Sequence, residues 1–459
     1  MNENNSREKL GSRLGFILLS AGCAIGLGNV WKFPYITGQS GGGVFLLFYI
    51  LMLVMFGIPV MTMEFAIGRA SQKAPVKMYE GIEPKGSKWH LHGIPCMLGC
   101  ILLMMYYSVI AGWIINYFVK FVKGDFVGAT AEAVGASFDG LLGDPKTIII
   151  YLAIVVILGF GVCAIGLQKG LEKITKYMMI ALLLIMLVLA VKAFTMPGSK
   201  EGLSFYLIPD WGRTKDIGIA RVVMGALNQA FFTLSIGIGS MAIFGSYIGK
   251  DRSLLGESVN ITLLDTFVAV TAGLIVFPAC FSYGIDVNAG PGLLFVTMPN
   301  VFANMPLGRL WGSLFFLFMS FAALSTVFAV YENILANFME VTDWSRKKAC
   351  LICGIGMFIL AVPCALGFNV WSGFTPFGEG TNVLDLEDFI VSNLLLPVGG
   401  IIYVIFCTSR YGWGWKNFTD EANAGEGLKT PLWLKNYMKY FVPVVLAAIL
   451  IIGLIDFFK

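Results

Sequence analysis

The sequence predicts an all-α integral membrane protein with about eleven transmembrane helices. Three observations lead there. Of 459 residues, 57% are hydrophobic and only 13% charged, with a mean hydropathy of +0.79, whereas an ordinary soluble domain carries about 25% charged residues. Apolar runs of about 20 residues, each able to cross roughly 30 Å of hydrocarbon as a helix, recur along the whole length and leave no space for a soluble domain. The first and sixth of these runs are broken in the middle by glycines.

Spans are expected at 11–37, 43–69, 93–122, 147–166, 174–193, 221–248, 257–284, 310–340, 349–368, 387–409 and 440–457. The first reads RLGFILLSAGCAIGLGNVWKFPY from Arg13 to Tyr35. It is interrupted at Gly26, Leu27, Gly28 and Asn29, with Lys32 and Pro34 just beyond. A bilayer core offers no water, so a segment that gives up helical hydrogen bonds must aim its freed carbonyls and amides at a cavity, an ion or a substrate. The break is therefore expected to be a binding site. In the second span, Glu64 within MTMEFAIGR sits near the inner end, where a structural role is expected. His90 and His92 precede the third span without acidic or cysteine partners, a poor metal site and a plain loop pair.

The sixth span contains QAFFTLSIGIG, Gln229 to Gly239, a second glycine break that also carries Thr233 and Ser235. Glycine-interrupted segments at matching positions of two five-helix halves point to an inverted-repeat transporter with its site at the midplane. One domain, 1–459, is expected, with repeats over about 11–193 and 221–409 and an extra helix over about 440–457. Isolated glycines such as Gly161 and Gly166 are better read as helix-packing positions. The seventh span places Asp265 in mid-membrane, where a carboxylate is costly and functional by default. Ser325 and Thr326 in the eighth could simply bond back to their own helix. Nine cysteines are scattered, most within spans, so no disulfide framework or redox role is expected, even for Cys350 and Cys353.

An amino terminus inside places most of the 32 basic residues on the cytoplasmic face and the carboxy terminus outside, in keeping with the positive-inside rule. The net charge of +4 is thus topology, and nucleic acid is not an expected partner. The first ten residues are polar and show no cleavable signal, and position 2 is not the glycine of a myristoylation signal.

Three strings, AGCAIGLGNVWKFPY, SGGG followed by GIPVMTMEFAIGR, and QAFFTLSIGIG, resemble the neurotransmitter:sodium symporter family, especially its bacterial amino-acid transporters of eleven helices. The resemblance runs from about Arg7 through the tenth span. It implies a LeuT-like fold, a bacterial inner-membrane location, and Na+-coupled import of an amino acid by alternating access. One sodium site is implied at the Ala24 carbonyl, Asn29, Thr233 and Asp265, completed by the carboxylate of the substrate. A second is implied at the Gly22 and Ile25 carbonyls, the Ala322 carbonyl and the Ser325 and Thr326 hydroxyls. Sodium is a hard cation that such oxygens suit.

The same resemblance implies a zwitterion pocket at Cys23, Ala24, Gly26, Leu27, Gly28, Leu103, Tyr107, Phe232, Thr233, Ser235, Ile238, Thr326 and Val330. Gly26 stands in place of the aspartate found where relatives carry amines that lack a carboxylate. No charged residue is among these, so a neutral hydrophobic substrate is expected. Lys32 and Asp388 are implied as an outer gate, looser than one made with arginine. Arg7 paired with Glu340, supported by Ser246 and Tyr247 and with Glu332 nearby, is implied as the inner closure; Leu10 there replaces a common tryptophan. Ala269 stands where relatives keep a second acid, so Asp265 is expected to supply the balancing negative charge and to make transport chloride-independent. It is also expected to take up a proton on the return step.

Other classes remain open on the residues alone. A channel, a receptor, or an embedded enzyme using Asp265 and Glu64 as acid and base would fit a polar break in a membrane. Against these stand the lack of repeated filter loops and of HExxH, GxSxG or phosphate-loop motifs.

Overall fold

The computed structural model describes residues 8–284 and 292–457, and among these it is all-helical apart from an isolated bridge between Arg252 and Glu426. In chain order the principal helices are α1 (Arg13–Ala24), α2 (Gly28–Gln39), α3 (Gly43–Ser71), α4 (Trp89–Lys123), α5 (Pro145–Ile165) and α6 (Leu167–Phe194). They continue with α7 (Ile219–Thr233), α8 (Ser240–Gly245), α9 (Leu254–Tyr283), α10 (Gly308–Thr342), α11 (Arg346–Leu366), α12 (Val383–Thr408) and α13 (Leu434–Ile455). Among the described residues nine single helices are long and apolar enough to cross a bilayer, and the pair α1 and α2, bent by 53°, makes a tenth. The sixth expected span is divided into α7 and α8, of 15 and 6 residues.

The first break follows from local chemistry. Ser12 caps α1 by accepting from the Gly15 amide at 3.0 Å, and Glu172 of α6 in turn accepts from Ser12 Oγ at 2.8 Å and the Gly11 amide at 2.7 Å. The helix runs to Ala24, where Ile25 turns extended (ψ 98°). Here only Ile25 and Gly26 are non-helical; Leu27, Gly28 and Asn29, expected to belong to the interruption, are already helical, Leu27 with φ -60° and ψ -25° and the next two in a wide-turn helix over Gly28–Lys32. Asn29 explains the early restart, because its side-chain Oδ1 accepts from the Gly26 amide at 3.1 Å and caps the new helix from within.

The second break uses positive φ angles at Ser235 (51°), Gly237 (109°) and Gly239 (79°). Gly237 leaves no space for a Cβ against the Leu396 carbonyl of α12, so glycine is needed there for close approach as well as for its φ. The freed amides of Gly237 and Met241 donate to the Glu64 carboxylate at 3.0 and 2.9 Å. Glu64 is thus the structural residue expected, and it fastens α8 to α3. Gly68 and Gly245 let the backbones of these two helices meet directly.

Several ends differ from expectation. Helices α4, α6 and α13 begin at Trp89, Leu167 and Leu434, ahead of the expected 93, 174 and 440. The early start of α6 takes in Glu172, a charge tolerated in the helix because its carboxylate is occupied by the start of α1. All nine cysteines are buried. His92 bonds Tyr79 and His90 bonds Glu83, both at 2.7 Å.

Candidate functional site

Both breaks lie at the centre of the molecule, with α1 packed on α6, α9 and α10. Asn29 Nδ2 donates to Asp265 Oδ1 at 2.7 Å and to the Asp265 carbonyl at 3.1 Å. Thr233 Oγ1 donates to the Asp265 carboxylate, lying 3.2 and 3.1 Å from its two oxygens. These three side chains are essentially sealed from solvent, and no ion pair to Asp265 occurs among the described residues. Tyr49 of α3 turns its hydroxyl toward the same group, a neighbour that sequence reasoning missed.

A second oxygen cluster bridges the end of α1 and α10. Ser325 Oγ lies 3.4 Å from the Ile25 carbonyl and 2.9 Å from the Ala322 carbonyl. Thr326 Oγ1 lies 3.2 to 3.4 Å from the carbonyls of Gly22, Cys23, Ile25 and Ala322. The own-helix bonding expected of Ser325 and Thr326 is present through Ala322, but the carbonyls of α1 converge on the same hydroxyls. Two hydroxyls carry two protons and face four acceptors. Such a donor-poor shell of oxygens fits a hard cation, and no cluster of three or more His, Cys, Asp or Glu occurs among the described residues.

Between the two clusters lies a cavity of about 20 Å³, large enough for about one water. Cys23, Ala24, Gly26, Gly28, Leu103, Tyr107, Phe232, Ser235, Ile238 and Thr326 line it, ten of the residues expected around a substrate. The Leu27 amide donates to Tyr107 Oη at 3.0 Å, and Ser235 Oγ to the Cys23 carbonyl at 3.3 Å. Thr233 points instead into the cluster around Asp265. Val330 does not line this cavity; it is fully buried about one helical turn from Thr326. Val391 and Leu396 of α12 complete the wall and were not anticipated. A Cβ on Gly26 would collide with the hydroxyls of Tyr107 and Thr326. The lining holds no charged side chain.

Lys32 Nζ stands 3.6 Å from Asp388 Oδ2 and 3.8 Å from the centroid of the Phe232 ring. Asp388 Oδ1 also accepts from Tyr106 at 3.0 Å and Ser392 at 2.7 Å. The expected outer pair is thus together, braced by two residues outside the expected set.

At the opposite end, Arg7 lies outside the described residues. Glu340 Oε2 accepts from the Ala74 amide at 2.6 Å, and its carbonyl from Lys77 at 2.8 Å. Ser246 Oγ donates to the Ile243 carbonyl at 2.6 Å. The buried Glu332 forms the visible clasp: Arg346 grips it with bonds of 2.7 and 2.9 Å, and Tyr247 donates to it at 3.0 Å. Arg346 also reaches Glu8 at 3.0 Å, while the Leu10 amide donates to the Tyr247 carbonyl at 3.2 Å. The role of Arg346 was missed because a base just before a span reads as an ordinary topology signal.

Comparison with known proteins bears on this arrangement. The family model of the sodium:neurotransmitter symporters matches residues 7–133 and 137–459. An uncharacterized sodium-dependent transporter of Bacillus subtilis is 36% identical over 395 residues, covering 86% of both chains. Another from Methanocaldococcus jannaschii is 32% identical, covering 96% of this chain and 89% of that one. The crystal structure of MhsT in complex with L-phenylalanine superposes with a TM-score of 0.87 at 37% identity, covering 97% of this chain and 99% of that one. The architecture is therefore the LeuT-like fold, and the protein is a sodium-dependent membrane transporter, not an enzyme. The chain belongs to the sodium:neurotransmitter symporter family.

Proposed function

We propose that this protein is a bacterial inner-membrane symporter that imports a neutral, hydrophobic L-amino acid with sodium by alternating access, without need of chloride. The observation that carries the reading is that one break, Ile25 to Asn29, contributes to both oxygen clusters and to the cavity between them. In this reading Ala24, Asn29, Thr233 and Asp265 hold one sodium together with the substrate carboxylate. Gly22, Ile25, Ala322, Ser325 and Thr326 hold a second. A ligand that completes the ion's shell raises the affinity for that ion, and the ion raises the affinity for the ligand by the same factor.

The substrate class rests on the lining. With glycine instead of an acid at position 26, the carboxylate comes from the substrate, beside the Leu27 amide and Tyr107, and the broken carboxy-terminal end of α7 offers carbonyls to the ammonium. The uncharged wall suits an apolar side chain, and L-phenylalanine in the MhsT structure fits that description. Asp265, buried and without a basic partner among the described residues, supports the chloride-independent reading.

Lys32 with Asp388 closes the outer side. Arg7 with Glu340, Ser246 and Tyr247, joined by Arg346 and Glu332, closes the cytoplasmic side, with the amino terminus inside and the carboxy terminus outside. The test is uptake of labelled hydrophobic amino acids into proteoliposomes under an inward sodium gradient. Accumulation above the equilibrium level, abolished when the gradient is dissipated, is expected. Equilibration without accumulation would mark a channel and sink the proposal.

A further inference from the structure

The face formed by α5 and α11 carries a groove of about 520 Å³ that takes no part in the site above. Small residues, Ala153, Gly161 and Gly354, line it together with Phe160 and Phe358. Ile157 and Leu351, 70% and 66% exposed, form the rims. On α5 the lining covers residues 153–164, about 16 Å along the helix axis. That length is close to the roughly 15 Å of one leaflet's hydrocarbon.

One end of the groove is basic. Arg346 Nη1 donates to the Cys163 carbonyl at 3.2 Å, which sets the start of α11 beside the end of α5. Arg346 is occupied by Glu332 and Glu8. Lys348 lies over the Trp344 ring, 5.1 Å from its centroid. Lys347 lines the groove, is exposed and has no acidic partner among the described residues, and no acidic side chain lines the groove. An apolar slot one leaflet long that ends at an uncompensated ammonium matches an acyl chain with a phosphate at its head.

We propose that this groove is a binding site for one anionic phospholipid, its acyl chain lying between α5 and α11 and its phosphate held by Lys347. The site would lie in the cytoplasmic leaflet, where anionic lipids attract basic residues close to membrane helices. Zwitterionic phospholipids share the acyl chain and the phosphate, but their headgroup cation offsets the phosphate charge beside Lys347, so they lose the net attraction. A second copy of the chain would bury the same face without any lipid.

Native mass spectrometry of the full-length protein, equilibrated with equal amounts of phosphatidylglycerol and phosphatidylcholine, tests this. The wild type is expected to retain phosphatidylglycerol in about fivefold preference, the factor one lysine supplies near an anionic surface. Lys347→Gln should abolish the preference. Gly161→Leu, whose Cβ meets no atom within 4 Å, should fill part of the groove and reduce retention of both lipids. Equal retention of the two lipids by the wild type, a preference surviving Lys347→Gln, or a lipid-free dimer that covers the groove would each overturn the assignment. Because Lys347 is exposed, that variant stays decisive even if Gly161→Leu melts early.

Discussion

Asn29 and Asp265 are joined by a 2.7 Å bond from the amide nitrogen to the carboxylate, which ties the broken first span to the middle of α9. With Thr233 it gathers a side-chain amide, a hydroxyl and a carboxyl group around one buried point, where Asp265 is the group able to carry a negative charge.

Removing that charge should expose its function. Wild-type uptake is expected to be unchanged when chloride is replaced by gluconate. Asp265→Asn keeps the shape but loses the charge, and should weaken sodium-dependent uptake by about tenfold or more. Uptake by the wild type that rises with chloride would contradict this role.

The second cluster can be tested apart from the first. Thr326→Val preserves volume while removing the oxygen that lies among four carbonyls, and Ser325→Ala removes its neighbour. Each should raise the sodium concentration for half-maximal binding by about tenfold, the worth of a ligand to a charged partner. A sodium titration of amino-acid binding, in which unchanged half-saturation counts against the assignment, decides it.

Gly26 permits the close approach of Tyr107 and Thr326. Gly26→Ala should force these hydroxyls outward and lower amino-acid affinity by about tenfold or more, with only a modest fall in melting temperature, because strain from one added methyl costs about 1–3 kcal/mol. Unaltered affinity by scintillation proximity would show that the cavity lies elsewhere.

Glu64 makes a prediction about stability. Glu64→Ala strands the buried amides of Gly237 and Met241, at about 1–3 kcal/mol each. Glu64→Gln keeps one acceptor. The alanine variant should therefore melt well below the glutamine variant in detergent, and equal melting temperatures would show that Glu64 does not hold the second break.

The outer pair should respond to geometry. Lys32→Arg offers Asp388 a planar fork in place of a single ammonium at 3.6 Å. Since both partners are partly exposed, the gain is modest, and release of bound amino acid should slow by about two- to fivefold in stopped-flow dissociation. Faster release would remove Lys32 from the gate.

The sequence made the unusual features legible and the ordinary ones not. Glycines and Asn29 inside an apolar run announce a break because lipid cannot solvate a freed backbone, and Asp265 announces itself by its cost in mid-membrane. Val391 and Leu396 went unseen because an apolar residue facing a cavity looks like one facing lipid. Tyr49 was hidden for the same reason, since its ring belongs in an apolar span and its hydroxyl shows only in three dimensions. The restart of helix at Leu27 was missed because it depends on the Asn29 side chain capping its own turn, a contact that spacing does not reveal.

The central claim is that loosened oxygens of the first span join an ion to an amino acid. Isothermal titration of the purified protein measures it most directly, with L-phenylalanine titrated at several sodium concentrations and sodium titrated with and without L-phenylalanine. Each ligand is expected to raise the affinity for the other by the same factor, with Asn29→Ala reducing that factor toward one. Equal affinity for L-phenylalanine in sodium and in potassium would contradict it.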